Sequence, residues 1–237
     1  MNWNPWKKRG IETSQDAWNE LSSQDVGPKT MEILNVWVST LPESAYGIID
    51  MAAGQGFEAR YLDELGYSVT AFDRSRDMIR GSVYPVKHGD MTNIRLARAS
   101  YSGILVKDAW VFLDHTERVT ALQKFYASLV HSGSVLILSQ FADTRAHIIP
   151  NESKLPIKVI RSDFKSDKDW MAYVTASTND GGEILSIEYQ TDYSSLSRES
   201  NKAGFRLSFD EYPYNSDYSQ ENRWVTRRNQ LVAKLTK

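Results

Sequence analysis

Three aspartates carry the clearest chemical signal in this sequence. Asp50 ends a short apolar run, Asp73 follows a second, and Asp90 stands just past a third, in His88-Gly89-Asp90-Met91. The first is followed by Met51-Ala52-Ala53-Gly54-Gln55-Gly56, a segment whose glycines let a backbone approach a ligand closely. A helix starting there would turn its N-terminus toward an anionic group. Gly54-x-Gly56-x-x-Ala59 satisfies the relaxed dinucleotide fingerprint, although a tight turn without a ligand explains the glycines as well. Asp50 argues against a dinucleotide, because a carboxylate there repels a diphosphate and attracts a cation such as an α-ammonium group. Asp73 stands where an acidic side chain can accept both hydroxyls of a ribose. Asp90, beside the apolar Met91, suits an adenine amino group. Each aspartate alone is more often a turn or cap residue; three at successive strand ends form a far more specific set.

Two further positions could act on protons. Lys107 and Asp108 directly follow the apolar Ile104-Leu105-Val106, where a polar pair either reaches a ligand or simply closes a strand. His115 lies seven residues after Asp108 and titrates near neutrality when unperturbed, so it suits a general base; capping a helix is the alternative. The four histidines show no metal-ligand spacing such as H-E-x-x-H, and no metal is expected.

These groups need strands to carry them and helices to return the chain. Short strands are expected at Tyr46 to Asp50, Ser68 to Phe72, Tyr84 to Lys87 and Ile104 to Val106, with helices at Glu58 to Leu65 and Asp77 to Gly81. Leu122, Phe125, Tyr126, Leu129 and Val130 mark an amphipathic helix before Ser134 to Ser139, a fully buried strand. Alternating strands and helices imply crossovers and a parallel sheet. Upstream, Ile33, Leu34, Trp37, Val38 and Leu41 share one face of a helix that Pro42 should end. After Phe141 the rhythm changes. Ile157 to Arg161, Trp170 to Ser177 and Glu183 to Thr191 read as strands without helices between them, and Asn179-Asp180-Gly181-Gly182 is a hairpin turn. Ser194 to Ala203 resumes a helix closed by Gly204, before final strands at Phe205 to Tyr212 and Gln230 to Leu235. The expected division is a helical cap over 1–45, a core over 46–141 and 192–237, and an antiparallel insertion over 142–191.

Composition removes several classes. With 237 residues, 41% hydrophobic and 24% charged, the chain is an ordinary globular one, and its net charge of -2 offers no basic track for nucleic acid. It has no cysteine, hence no disulfide, thiol nucleophile or cysteine-held metal. No apolar run nears the ~20 residues of a membrane span. The first nine residues lack the apolar stretch of a signal peptide, so a cytoplasmic protein is expected.

S-adenosylmethionine carries an α-ammonium, a carboxylate and a sulfonium but no phosphate, which matches the loop and its aspartates. The sequence resembles the class I S-adenosylmethionine-dependent methyltransferases: Asp50 to Gly56 is similar to their first motif, Val69 to Ser75 to their second, and Gly89-Asp90-Met91 to their third. Tyr101 to Leu113, with Lys107-Asp108-Ala109-Trp110, resembles their strand-four region, and Ser132 to Ile137 their fifth strand. The likeness is good over roughly 46–141 and looser from Ser194 onward. Ala52 replaces the glycine usual at its place. The resemblance implies an α/β three-layer sandwich with a mostly parallel seven-stranded sheet whose last strand is reversed. It also implies S-adenosyl-L-methionine at the carboxyl ends of the first strands, leaving as S-adenosyl-L-homocysteine. Asp50, Ala52, Gly54, Gly56, Asp73, Arg74, Asp90, Met91 and Lys107 are the expected cofactor contacts.

Methyl transfer needs alignment and exclusion of water, and a base only where the acceptor arrives protonated. His115 and Asp108 are the residues expected near that chemistry. Trp18, Trp110, Trp170 and Tyr173 are expected to meet substrate, with packing as the alternative role. An antiparallel cap suits a small-molecule acceptor. The rivals are a nicotinamide-dependent oxidoreductase, a non-catalytic S-adenosylmethionine-binding subunit, and another reaction of the same cofactor.

Overall fold

The computed structural model describes residues 25–42, 46–140, 157–161, 173–178, 184–189, 193–211 and 230–237. Helix α1 (Pro28–Val38) starts with proline at its first position, where the missing N–H costs nothing. It ends at Val38 rather than at Pro42: the Ser39 N–H still bonds to Asn35, but Thr40 and Leu41 bond three residues back, which tightens the chain out of the helix. Then come β1 (Gly47–Met51), α2 (Phe57–Glu64), β2 (Val69–Asp73), α3 (Arg76–Arg80), β3 (Val86–His88) and β4 (Tyr101–Lys107). A 3-10 turn (Trp110–Phe112) leads into α4 (His115–Ser128) and β5 (Leu129–Gln140).

Strands β6 (Ile157–Arg161), β7 (Tyr173–Thr178) and β8 (Ile184–Tyr189) form a separate antiparallel sheet in the order β6-β7-β8. Helix α5 (Tyr193–Ala203) and strands β9 (Arg206–Glu211) and β10 (Gln230–Thr236) complete the described chain. The Asn179 to Gly182 turn lies outside the described residues, but β7 and β8 pair antiparallel as expected of its flanks.

The main sheet has seven strands in the order β3-β2-β1-β4-β5-β10-β9. The pairs from β3 to β5 are parallel, whereas β10 runs against both neighbours and is the reversed last strand. Its inner strands are covered on both faces, and side-chain alternation splits the core in two. On one side Ile49, Met51, Ile104, Val106, Val135 and Ile137 pack under Leu122 and Phe125 of α4 and Leu196 of α5. On the other, Ile48, Leu105, Leu136 and Val232 meet Ile33, Leu34, Trp37 and Val38 of α1 and Leu62 of α2. Trp37 fixes that second layer: it is buried, and its indole N–H donates to Ser134 Oγ at 2.9 Å. It lies so close over Gly103 that a β-carbon there would come within 2.8 Å of its ring.

The helix read from Leu122 to Val130 begins earlier and ends earlier. Asp114 accepts from the Glu117 N–H while Glu117 returns the bond to the Asp114 N–H, a capping box that starts α4 at His115. Leu129 and Val130 already belong to β5, where Leu129 sits opposite Tyr101. Strand and helix both demand apolar residues there, so periodicity alone misplaces the junction. No helix of the described residues is long and apolar enough to cross a membrane.

Candidate active site at the carboxyl edge of the sheet

Strands β1, β2 and β4 deliver their carboxyl ends side by side, and the chain between β1 and α2 folds over them. Ala52, Gly54 and Gly56 all take left-handed backbone, with φ of 65, 56 and 83°. That region suits glycine, and Ala52 holds it at a steric cost. Gly56 is also needed for space, since a β-carbon would sit 2.8 Å from Tyr84 Cβ. The loop is tied to β2: the Ala53 N–H donates to Phe72 O (2.9 Å) and the Gly54 N–H to Asp73 Oδ2 (2.8 Å). Asp73 Oδ1 accepts from the Ser75 N–H at 2.7 Å, so this carboxylate already orders two loops. Each oxygen keeps a second acceptor direction.

Asp50 is buried in the β1 strand, and its Oδ2 has no hydrogen-bond partner among the described residues. Burial, reinforced by the charge of Glu58, pushes its carboxyl well above the ordinary range, against a smaller pull from Lys107. Glu58 stands in the first turn of α2 and reaches Lys107 Nζ at 3.3 Å. Lys107 also donates to Asp108 Oδ2 at 2.8 Å. Burial opposes the lysine's charge, but the Asp108 and Glu58 carboxylates outweigh it and hold the ammonium above its usual range. Asp108 takes left-handed backbone, φ 53°, as β4 ends, and its N–H donates to Leu138 O. The edge between β1 and β4 thus gathers two carboxylates on one lysine, with Asp50 within its electrostatic reach.

Around the third strand, Asp90 Oδ1 accepts from both the N–H and the hydroxyl of Thr92, at 2.8 and 2.7 Å, closing a turn. Met91 is buried in the larger core. Arg74, half-buried after β2, lies within electrostatic reach of Glu117 in the first turn of α4. Burial lifts the Glu117 carboxyl above its ordinary value, with Arg74 opposing and Asp90 adding to the rise.

His115 opens α4 and its Nδ1 lies 3.1 Å from Glu199 Oε1 on α5. Trp110 corrects the expectation of a substrate-facing ring. It is wholly buried in the core, its carbonyl accepts from Arg118 Nε and Nη2, and its ring lies under that guanidinium. The apolar ring packs inward with the core side chains, and Arg118, nearly buried itself, lies over it. Trp18 and Trp170 lie outside the described residues; Tyr173 begins β7, described by its backbone alone.

Sequence reasoning missed Glu58, Glu117, Arg118 and Glu199. Glu58 was findable, standing in the first turn of the helix that follows the loop, where an acidic side chain favours the positive helix end. Glu199 carries no local signal, since only the packing of α5 on α4 brings it to His115.

Residues 49–137 match the family model described as a methyltransferase domain. No curated protein matches the chain in sequence. Among solved structures, the Burkholderia thailandensis 1,6-didemethyltoxoflavin-N1-methyltransferase, bound to 1,6-didemethyltoxoflavin and S-adenosylhomocysteine, is similar at 14% identity and TM-score 0.64, over 100% of this chain and 92% of that one. A Methanosarcina mazei protein described as an S-adenosylmethionine-dependent methyltransferase is similar at 13% identity and TM-score 0.60, over 90% and 96%. A glycopeptide N-methyltransferase complexed with S-adenosylhomocysteine gives 15% and 0.59, over 90% and 92%. Sheet order and reversed strand give the chain the Rossmann-like fold of these solved structures, and its residues 49–137 match a methyltransferase domain.

Proposed function

We propose that the protein methylates a small-molecule acceptor by direct in-line displacement, with S-adenosyl-L-methionine held at the carboxyl edge of β1, β2 and β3. The observation that carries this reading is Asp50, a buried carboxylate whose Oδ2 has no partner among the described residues, beside a left-handed loop that opens a helix. An α-ammonium group supplies the missing counter-charge and donors, whereas a diphosphate would face Asp50 and Glu58 together. The residues present therefore fit the cofactor. Asp50 takes its ammonium, the N-terminus of α2 past Gly54 and Gly56 its carboxylate, and Ala52 lines the approach. Asp73 accepts the ribose hydroxyls through its remaining lone pairs, and Asp90 with Met91 borders the adenine under Arg74. Lys107, held by Glu58 and Asp108, closes the methionine end.

Bound there, the cofactor supplies an activated sulfonium methyl; the protein's task is to align the acceptor and exclude water. The antiparallel β6-β7-β8 sheet supports a small acceptor, because β8 lies against the Trp110–Phe112 turn that follows the site. Tyr173, Trp18 and Trp170 belong to the same proposal as acceptor contacts, and Asp108 and His115 as the groups near its reacting atom.

Incubation with a tritium-labelled methyl donor and a fractionated cell extract tests the substrate class. Label is expected in the small-molecule fraction. Label confined to protein or nucleic acid would overturn it.

A further inference from the structure

Glu199 is wholly buried, yet its carboxylate is only partly satisfied. Oε1 lies 3.1 Å from His115 Nδ1 and 3.9 Å from Arg118 Nη1, and Oε2 has no partner among the described residues. A buried carboxylate kept with so little pairing is a costly way to hold two helices together, for which an apolar contact would serve better. What it grips is also distinctive. His115 follows the Trp110–Phe112 turn at the carboxyl edge of the sheet, and 37% of its side chain is exposed. Strand β8 lies against that same turn, and α5, which carries Glu199, begins at Tyr193, just after β8 ends at Tyr189. The pair thus joins the helix that follows that turn to the helix that follows the small sheet in the chain.

We infer that Glu199 is a positioning residue that makes His115 the proton acceptor of the reaction, so that the acceptor atom enters carrying a hydrogen, as a hydroxyl or an N–H group. The inference rests on the proposed methyl transfer. A hydrogen bond from Nδ1–H to Glu199 fixes the neutral ring as the Nδ1–H tautomer and leaves the lone pair on Nε2. The acceptor's X–H bond breaks with its electron pair kept on X for the new bond to the methyl carbon; the methyl–sulfur pair leaves with sulfur, and the proton bonds to Nε2. The imidazolium so formed sits at the first helical position, where the positive helix end disfavours a cation, and the Glu199 carboxylate compensates.

Long-range proton–nitrogen spectra of the full chain with S-adenosylhomocysteine test the geometry. The neutral His115 ring is expected as the Nδ1–H tautomer in the wild type, moving toward Nε2–H in Glu199→Ala. Glu199→Gln, which keeps the shape and an acceptor oxygen, separates charge from packing. With the labelled donor, a panel of phenols and N–H heterocycles set against tertiary amines and thioethers reads the chemistry. Transfer to the first group is expected, falling about 10²- to 10⁴-fold in His115→Ala and about tenfold or more in Glu199→Gln, with the first loss partly rescued by added imidazole. An Nε2–H tautomer in the wild type, full turnover in Glu199→Gln, or transfer only to acceptors without a proton overturns the inference. Those results with S-adenosylhomocysteine still raising the melting temperature would spare the methyltransferase reading; no protection by that ligand would overturn both.

Discussion

A carboxylate taken out of water without a full set of partners destabilises the fold that buries it, and Asp50 is such a group. Because its folded carboxyl is held above the ordinary value, the stability it contributes is complete below about pH 4 and is lost as pH rises through the folded value. Asp50→Asn should therefore stabilise the ligand-free protein at neutral pH by about 1–3 kcal/mol, a gap that closes as pH falls toward 4. Thermal melts across pH read this. The same variant should bind S-adenosylhomocysteine at least about tenfold more weakly, as loss of a charge-assisted bond implies. Ala52 offers a second test. Relief of its left-handed backbone in Ala52→Gly should keep or raise stability by up to about 1 kcal/mol, while Ala52→Val should lower it by more than that, in denaturant titrations. The aspartates were legible because each follows an apolar run in an alternating pattern. Their inward hydrogen bonds were not: that Asp73 holds the Gly54 N–H depends on how β1 and β2 register, which no local spacing encodes.

Elements were read well where one physical signal dominates. Gly204 closes α5 with φ of 95°, and the Ile157 to Arg161 strand has the bounds expected of it. Junctions were read less well. The Asp114–Glu117 capping box, visible as a carboxylate three residues before another, sets the start of α4 and makes His115 the first residue of the helix rather than its cap. Asp114→Ala should cost about 1 kcal/mol and loosen His115. Gly56→Ala should cost more, about 1–3 kcal/mol, because the left-handed turn and the 2.8 Å approach to Tyr84 both oppose a β-carbon. Amide exchange at α2 and β3 would report the damage where the loop docks. The third strand came out shorter than expected, Val86–His88, since Tyr84 packs beneath the loop instead of pairing.

Across the whole molecule, the order β3-β2-β1-β4-β5-β10-β9 puts the topological switch between β1 and β4, where the Lys107 cluster and the glycine loop meet. Strand order is a long-range property. Alternation implied a parallel sheet, while the seven-stranded plan with its reversed member came only from the family resemblance. A ligand that binds the folded state alone stabilises it by about 2.7 kcal/mol at a hundredfold excess over its dissociation constant. Calorimetric titration with S-adenosylhomocysteine, with NAD(H) as control, examines the cofactor directly. Saturable heat with the homocysteine compound, none with the nicotinamides, and a sharp loss of affinity in a folded Asp50→Asn variant is the expected result. Silence with S-adenosylhomocysteine, or heat with NAD(H) in its place, would contradict the assignment of this edge to S-adenosylmethionine.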